Sequence, residues 1–362
     1  MKIHIMSVSA IGLALSTAAL AQSSASSNAA PPPPPAPSMA IPEQPAADMQ
    51  AVLDAHAALG PKPIERLTPL EARLQPSASD ATMAVMRKKG LSTAPDPAVT
   101  TRDLPYGADP MQYARIYRPA AAPADASLPI VIYYHGGGWV IADVNTYDAT
   151  PRLLAKQLNA IVVSVEYRHA PEAKFPAQHD DAAAAYRWVV QSAPTWNADA
   201  RRIALAGESA GGNLAVATAI HARDNSLPKP LHVLAVYPIA DSRMDLPSRK
   251  DSTGARPLNG AMLKWFGYYY AKTSADMQDP RINLVQANLK GLPPVTIVNA
   301  KIDPLRSDGE TLTTALKQAG VRVEQRSFDG VTHEFFGMGT VVRGAYDAQA
   351  WAVSRLKSAL SN

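Results

Sequence analysis

Seven short stretches of the chain read as strands: 114–117, 128–134 (LPIVIYY), 160–167 (AIVVSVEY), 202–206, 231–237, 295–300 and 321–328. Several are apolar at nearly every position, the pattern of a strand covered on both faces. Between most of them, apolar residues recur at helical spacing, at 148–158, 177–191, 212–223, 309–319 and 344–360. Buried strands alternating with amphipathic helices predict an α/β fold: a mainly parallel sheet with helices on both faces. Upstream, 48–59 and 69–89 also have helical spacing, with Met83, Val85 and Met86 available to a core or pocket. One interval, 241–279, breaks the rhythm and is too long for a simple loop. Proline, glycine and charges open it, and the aromatic run Trp265, Phe266, Tyr268, Tyr269 and Tyr270 follows. It reads as an insertion that packs with the N-terminal helices as a cap, about 48–100 and 241–275, over the carboxyl ends of the strands. Ligand crevices of open α/β sheets lie at that edge.

The first residues follow a different pattern. Lys2, a short apolar segment and Ala19-Leu20-Ala21 read as a signal peptide over 1–21, in competition with a retained membrane anchor. No twin arginine is present, and no cysteine is available for lipid attachment. Residues 22–47 are rich in Ser, Ala and Pro, including the proline run 31–35, and read as a disordered spacer before a folded domain spanning 48–362. The expectation is an exported protein, periplasmic or secreted, with no membrane span once the signal is cleaved. With 47% hydrophobic and 18% charged residues, the 362-residue chain has the composition of a globular protein. The complete lack of cysteine excludes disulfides, a thiol nucleophile and Cys-ligated metals. A net charge of +4 without a basic run gives no support to nucleic-acid binding.

Chemistry enters with Gly207-Glu208-Ser209-Ala210-Gly211-Gly212, which follows one predicted strand and opens a helix. G-x-S-x-G in that setting is a nucleophile elbow: a serine on a sharp turn, flanked by residues small enough for strand and helix to meet. His135-Gly136-Gly137-Gly138-Trp139 follows another strand directly. Bare glycines there present backbone N–H groups to a developing oxyanion, joined by the N–H of Ala210 after the serine. A phosphate cradle would need G-x-G-x-x-G or G-K-[ST], and neither occurs at this loop. His135 itself reads as a positioning residue. The serine needs a base, and the base an acid, in the order serine, acid, histidine. Two histidines follow the serine motif's helix. His232 falls inside a strand, whereas His333 sits in a loop after the last strand. Asp303 follows the strand at 295–300; Asp308 is the rival acid, but reads as an N-terminal residue of the next helix. Trp139 and Glu208 are candidates for lining the substrate pocket, as is the 265–270 run. Glu172, His179, Asp180 and Asp181 have the composition of a metal cluster, but without any HExxH-like spacing no metal is expected.

Taken together, HGGGW (135–139), EYRHAPEAKFPAQHDD (166–181), GESAGG (207–212), LPPVTIVNAKIDPLRSDGE (292–310) and DGVTHEFFGM (329–338) resemble the bacterial hormone-sensitive-lipase-like family of α/β-hydrolases. The resemblance implies a carboxylesterase with Ser209 as nucleophile, Asp303 as acid and His333 as base. It implies an oxyanion hole from Gly137, Gly138 and Ala210, with Gly136 a further candidate, and a structural role for 166–181. It implies hydrolysis of small-molecule esters of short to medium acyl chain, with no cofactor, and family members often pair as homodimers through the last strand. A non-catalytic ligand-binding protein on the same fold, or an amidase or peptidase, are the alternatives. Two positions depart from the family pattern: His169 stands where Leu is usual, and Glu334 where Gly usually follows the catalytic histidine. Both leave the triad intact and bear on substrate or pH preference.

Overall fold

The computed structural model describes residues 43–251 and 256–361. The expected signal peptide, and the spacer up to residue 42, lie outside the described residues. The rest of the expected spacer is ordered: Ala46 N–H donates to Gly330 O (2.8 Å), and Glu43 accepts from Gly330 N–H (3.0 Å). The folded part therefore begins before residue 48.

Helix α1 spans Ala47–Ala58. The single helix expected over 69–89 is two, α2 (Pro69–Arg73) and α3 (Ala78–Lys88). Pro76 disfavours helical backbone at Gln75 before it, and Ser77 starts the second helix by a reciprocal capping box with Asp80. Eight strands then form one sheet: β1 (Val99–Pro105), β2 (Tyr113–Pro119), β3 (Leu128–Tyr134), β4 (Ile161–Val165), β5 (Ala198–Glu208), β6 (His232–Val236), β7 (Val295–Ile302) and β8 (Val323–Thr332). Their order is β1-β2-β4-β3-β5-β6-β7-β8, antiparallel at β1–β2 and β2–β4 and parallel elsewhere. β1 was not anticipated. It is an edge strand with most side chains exposed, so it carries no apolar run.

Buried side chains form two clusters, one on each face of the sheet. Along β3, Ile130, Ile132 and Tyr134 join one and Val131 and Tyr133 the other, the two-residue alternation of a pleated strand. The first cluster takes residues of α5 (Ala177–Ser192), α6 (Ala210–Asp224) and, after the insertion, α9 (Arg306–Gln318). The second takes residues of α4 (Ala149–Leu158) and α10 (Arg343–Leu360). Inside the insertion lie α7 (Pro247–Asp251) and α8 (Gly260–Tyr270).

The N-terminal part of the expected cap is divided. Met49 and Val52 of α1 and Ala81 and Val85 of α3 pack in the second cluster with α10, as body rather than lid. The segment near 64–73 meets the insertion, where Trp265 Nε1–H of α8 donates to Leu67 O (3.0 Å). Arg73 then ties α2 to the loops after β3 and β4 through Val140 O, Ala170 O and the Glu172 carboxylate. Among the described residues no helix is long and apolar enough to cross a membrane.

Candidate active site

The site follows from strand order. β3 and β5 lie side by side, with Tyr134 opposite Gly207. From β3 the sheet continues to β4 on one side, and from β5 to β6 on the other. The loops after β3 and β5 therefore diverge and leave a crevice at the strands' carboxyl ends. Gly137 and Gly138 reach it from one loop and Ser209 from the other.

Ser209 has φ +57° and ψ −117°, a backbone rarely adopted by non-glycine residues. It is held there by Ser209 N–H to Val236 O (2.9 Å), while its own carbonyl accepts from Asn213 and Ile239 N–H groups. A Cβ on Gly207 would lie 2.1 Å from Gly211 O, and one on Gly211 2.0 Å from Tyr134 O. A side chain at Gly207 would push the strand and helix of the elbow apart, and one at Gly211 would push the helix off the end of β3. Ala210 opens α6, so its N–H is among those with no carbonyl partner within the helix.

β7 and β8 deliver the other two residues. Ile302 pairs with Thr332, so Asp303 and His333 are each one residue beyond a matched pair at neighbouring strand ends. His333 Nδ1 is 2.7 Å from Asp303 Oδ2 and Nε2 is 3.0 Å from Ser209 Oγ. A carboxylate only accepts, so Nδ1 carries the proton and Nε2 is left to take one from the serine. Asp303 is also fixed by Leu305 N–H (2.8 Å). Burial disfavours the charged imidazole, but the charge and hydrogen bond of Asp303, helped by Glu334 and Glu208, outweigh it and raise the His333 pKa above its ordinary value. The rival residues are placed elsewhere. His232 begins β6 at the opposite end of the strands, against Thr296 Oγ1 (2.9 Å), with burial pushing its pKa down to about 4. Asp308 is buried on α9 in an ion pair with Arg249 (2.8 Å) and accepts from Ala240 and Asp241 N–H, tethering the insertion to the body. Burial pushes its carboxyl up to about 7 against the Arg249 charge.

A cavity of about 40 Å³ opens on Ser209. Its apolar wall comes from Ile141, Ile239, Leu258, Met262, Leu263 and Phe266, with Gly137, Gly138, His333 and Glu334 beside them. The Phe266 ring lies directly on the glycine loop: a Cβ on Gly138 would be 2.3 Å from its Cδ1. Gly137 and Gly138 both have positive φ, +92° and +58°. Gly136 is not at the cavity; it sits against Tyr147, and its carbonyl accepts from His135 Nδ1–H (2.8 Å).

Two residues expected in the pocket are outside it. Trp139 is buried against Tyr270, with ring centroids 4.1 Å apart and nearly parallel. Glu208 points below the elbow, where alternation along β5 sends it away from the crevice. It accepts hydrogen bonds from Tyr133 Oη (2.6 Å) and Tyr237 Oη, and burial raises its carboxyl pKa against those bonds. Tyr237 in turn packs 4.5 Å from the His333 ring, so Glu208 supports the site from beneath. Of the aromatic run, only Phe266 reaches the cavity; Tyr268 is exposed. The aliphatic wall residues carried no sequence signal beyond membership of the insertion and the loops.

Of the departures, Glu334 adopts left-handed backbone (φ +66°, ψ +6°), a conformation that suits glycine, and its Oε1 accepts weakly from Tyr147 Oη (3.4 Å). His169 lies behind the glycine loop, close to Glu166, rather than in the pocket. Glu166 Oε2 accepts from Val144 N–H (3.0 Å); burial would raise its pKa, but the imidazoles of His135 and His169 hold it at about 2. The other acidic residues that suggested a metal are paired: Glu172 with Arg73 and Asp181 with Arg168, each at 2.7 Å. His179 is buried against Asn213 Oδ1 (3.0 Å).

Residues 131–337 match the model of a family described as alpha/beta hydrolase fold. Esterase LipI of Mycobacterium tuberculosis is 40% identical over 237 residues, 65% of this chain and 74% of its own length. Ethyl acetate hydrolase of Pseudomonas putida is 33% identical over 324 residues, 87% of this chain and 98% of its own. Among solved structures, an esterase from Pyrobaculum calidifontis superposes with a TM-score of 0.74 at 32% identity, covering 84% of this chain and 97% of its own. A thermostable esterase from Pseudomonas putida gives 0.77 at 28% identity, covering 88% and 98%.

Proposed function

The chain belongs to the alpha/beta hydrolase fold family, among its hormone-sensitive-lipase-like esterases, and we propose that it is a serine carboxylesterase acting on small esters of short to medium acyl chain. The observation that carries this is the unbroken relay Asp303–His333–Ser209, with contacts of 2.7 and 3.0 Å, at the mouth of a small apolar cavity. Ser209 Oγ attacks the ester carbonyl carbon while His333 Nε2 takes its proton. The oxyanion is received by N–H groups of Gly137, Gly138 and Ala210. Each such donor typically supplies ~2.7–4 kcal/mol at the transition state. His333 then protonates the leaving alkoxide, so the alcohol departs and an acyl-Ser209 ester remains. Water, deprotonated by the same imidazole, attacks that ester and releases the acid. Asp303 keeps the tautomer and stabilises the imidazolium. Every step uses this chain's own groups and water.

The cavity bounds the acyl group. At ~10–15 Å³ for each water-sized group, 40 Å³ takes about three heavy atoms beyond the carbonyl. The test is hydrolysis of p-nitrophenyl esters from acetate to palmitate by the chain and by Ser209→Ala. Serine-dependent turnover that peaks at short chains is expected. A peak at palmitate would make the protein a long-chain lipase. No serine-dependent ester turnover would overturn the reading in favour of an amidase or a ligand-binding protein, and a fluorophosphonate label on Ser209 would separate those two. Export through residues 1–21 is part of the same proposal, supported by the charged, apolar and A-x-A pattern there. Cell fractionation showing the protein only in the cytoplasm would reject it.

A further inference from the structure

Behind the glycine loop, parallel strands β3 and β4 end side by side, with Tyr134 opposite Val165. The next residue of each, His135 and Glu166, therefore emerges beside the other. The turn after β4 brings back His169, three residues beyond the carboxylate. His135 and Glu166 are fully buried and His169 is 8% exposed. His135 Nε2 lies 3.4 Å, and His169 Nε2 3.1 Å, from the same oxygen, Glu166 Oε1. All three ligand-type atoms fall within 4.8 Å of one another. Yet none of the three makes a hydrogen bond; the ring nitrogens are in range of the oxygen but not aligned to donate to it. Their partners here are one another, as ion pairs without aligned hydrogen bonds, and three buried polar atoms converging on one point would be better satisfied by a common partner.

We propose that His135 Nε2, Glu166 Oε1 and His169 Nε2 form a structural site for a divalent transition metal of the zinc class. Two imidazoles and one carboxylate suit Zn²⁺ or Co²⁺ rather than Mg²⁺ or Ca²⁺, which prefer all-oxygen shells. Ligands about 2.0–2.1 Å from a tetrahedral ion sit roughly 3.3 Å apart, close to the two nitrogen–oxygen separations here. The remaining separation, between the two nitrogens, is closed most readily by His169, which lies nearest solvent. The neighbouring hydrogen bonds fit a fixed ligand set. His135 Nδ1–H donates to Gly136 O (2.8 Å), which leaves Nε2 free to ligate, and the second Glu166 oxygen is fixed by Val144 N–H (3.0 Å). His135 and Val144 bound the glycine loop, so the ion would clamp both its ends to the end of β4. It lies outside the substrate cavity and takes no part in the hydrolysis. The inference stands apart from the esterase reading.

The test is equilibrium dialysis of the untagged, metal-stripped full chain against Co²⁺ and then Zn²⁺, beside His169→Leu. The expected result is uptake of one ion per chain, with the visible ligand-field absorption of tetrahedral Co²⁺ displaced by Zn²⁺. In His169→Leu both uptake and absorption should be lost, while p-nitrophenyl acetate turnover stays within about twofold and reports that the variant is folded. Should that variant fail to fold, His169→Gln, which keeps a polar side chain without an imidazole, must show the same loss. Absence of uptake by the unmodified chain overturns the proposal. So does equal uptake by chain and variant, which would locate the ion elsewhere.

Discussion

Phe266 is expected to set the length of the acyl group, and Phe266→Ala should move the optimum to longer chains. The ring is 8% exposed, lies on Gly138 and closes a cavity of about 40 Å³. In the unmodified chain a tail beyond about three heavy atoms has no room and gains nothing from further methylenes. Truncation removes the ring and opens space for about three more. Each methylene buried contributes about 0.8 kcal/mol, which is about fourfold in kcat/KM at 1.36 kcal/mol per tenfold. Hexanoate carries five carbons beyond the carbonyl, about two more than the unmodified cavity holds, and two methylenes multiply to roughly 15-fold, or nearer fourfold if the cap settles inward. The quantity to measure is kcat/KM for p-nitrophenyl hexanoate divided by that for acetate, in both proteins. The ratio cancels differences in active fraction and any general loosening of the glycine loop. Loss of the ring also costs stability, at most about 3–5 kcal/mol, so the assay belongs well below the unfolding transition. A ratio within about twofold of the unmodified chain would refute the assignment of Phe266 as the pocket wall.

Asp303→Asn should lower kcat by about 10³–10⁴-fold with little change in KM, because the amide favours the wrong imidazole tautomer; a loss below tenfold would mean another group orients His333. Glu334→Gln removes a negative charge that raises the His333 pKa. The base works in its neutral form, so the acid limb of the kcat/KM–pH profile should move to lower pH; no movement, or movement upward, contradicts the assigned electrostatics. Arg249→Met leaves Asp308 buried without its cation and should cost about 3–5 kcal/mol in urea unfolding. The Asp308 pKa is raised above its unfolded value, to about 7 in the intact pair. Its contribution to stability is therefore full in acid and lost as pH rises through that value. The variant should be least damaged near pH 5 and most damaged above pH 8, and a loss independent of pH would refute the buried-pair account.

The parts of the molecule legible in the sequence are those whose position the backbone dictates. Buried strands announce themselves by apolar runs, as at 128–134 and 160–167. The strand that escaped, β1, shows solvent most of its side chains and has no such run. The division of 69–89 was written in Pro76 and the Ser77–Asp80 capping box, but the apolar spacing continued across it and concealed the break. The N-terminal helices are expected in a cap with the 241–279 insertion, over the carboxyl ends of the strands, without any signal of their own that says which surface they cover. Which surface an amphipathic helix covers depends on the partner, and for α1 and α3 that partner is α10 and the second core cluster, distant in sequence.

The contrast between triad and pocket has the same origin. Ser209, Asp303 and His333 each sit just beyond a strand, so strand order and register bring them together whatever the loops do. Pocket lining obeys no such rule. Glu208 is next to the nucleophile in sequence, yet one step of strand alternation turns it under the elbow, where Tyr133 and Tyr237 take both its oxygens. Trp139 adjoins the glycine loop, yet stacks on Tyr270 and leaves the cavity to Phe266. The wall is built by an insertion whose apolar residues satisfy any packing surface equally well in a sequence. The His135–Glu166–His169 cluster lies between these cases. Parallel register fixes its first two members as firmly as the triad, and only the turn that returns His169 was unreadable. Reaction class is therefore carried by residues at strand ends, while acyl preference rests on side chains such as Phe266 that substitution can change without touching the relay.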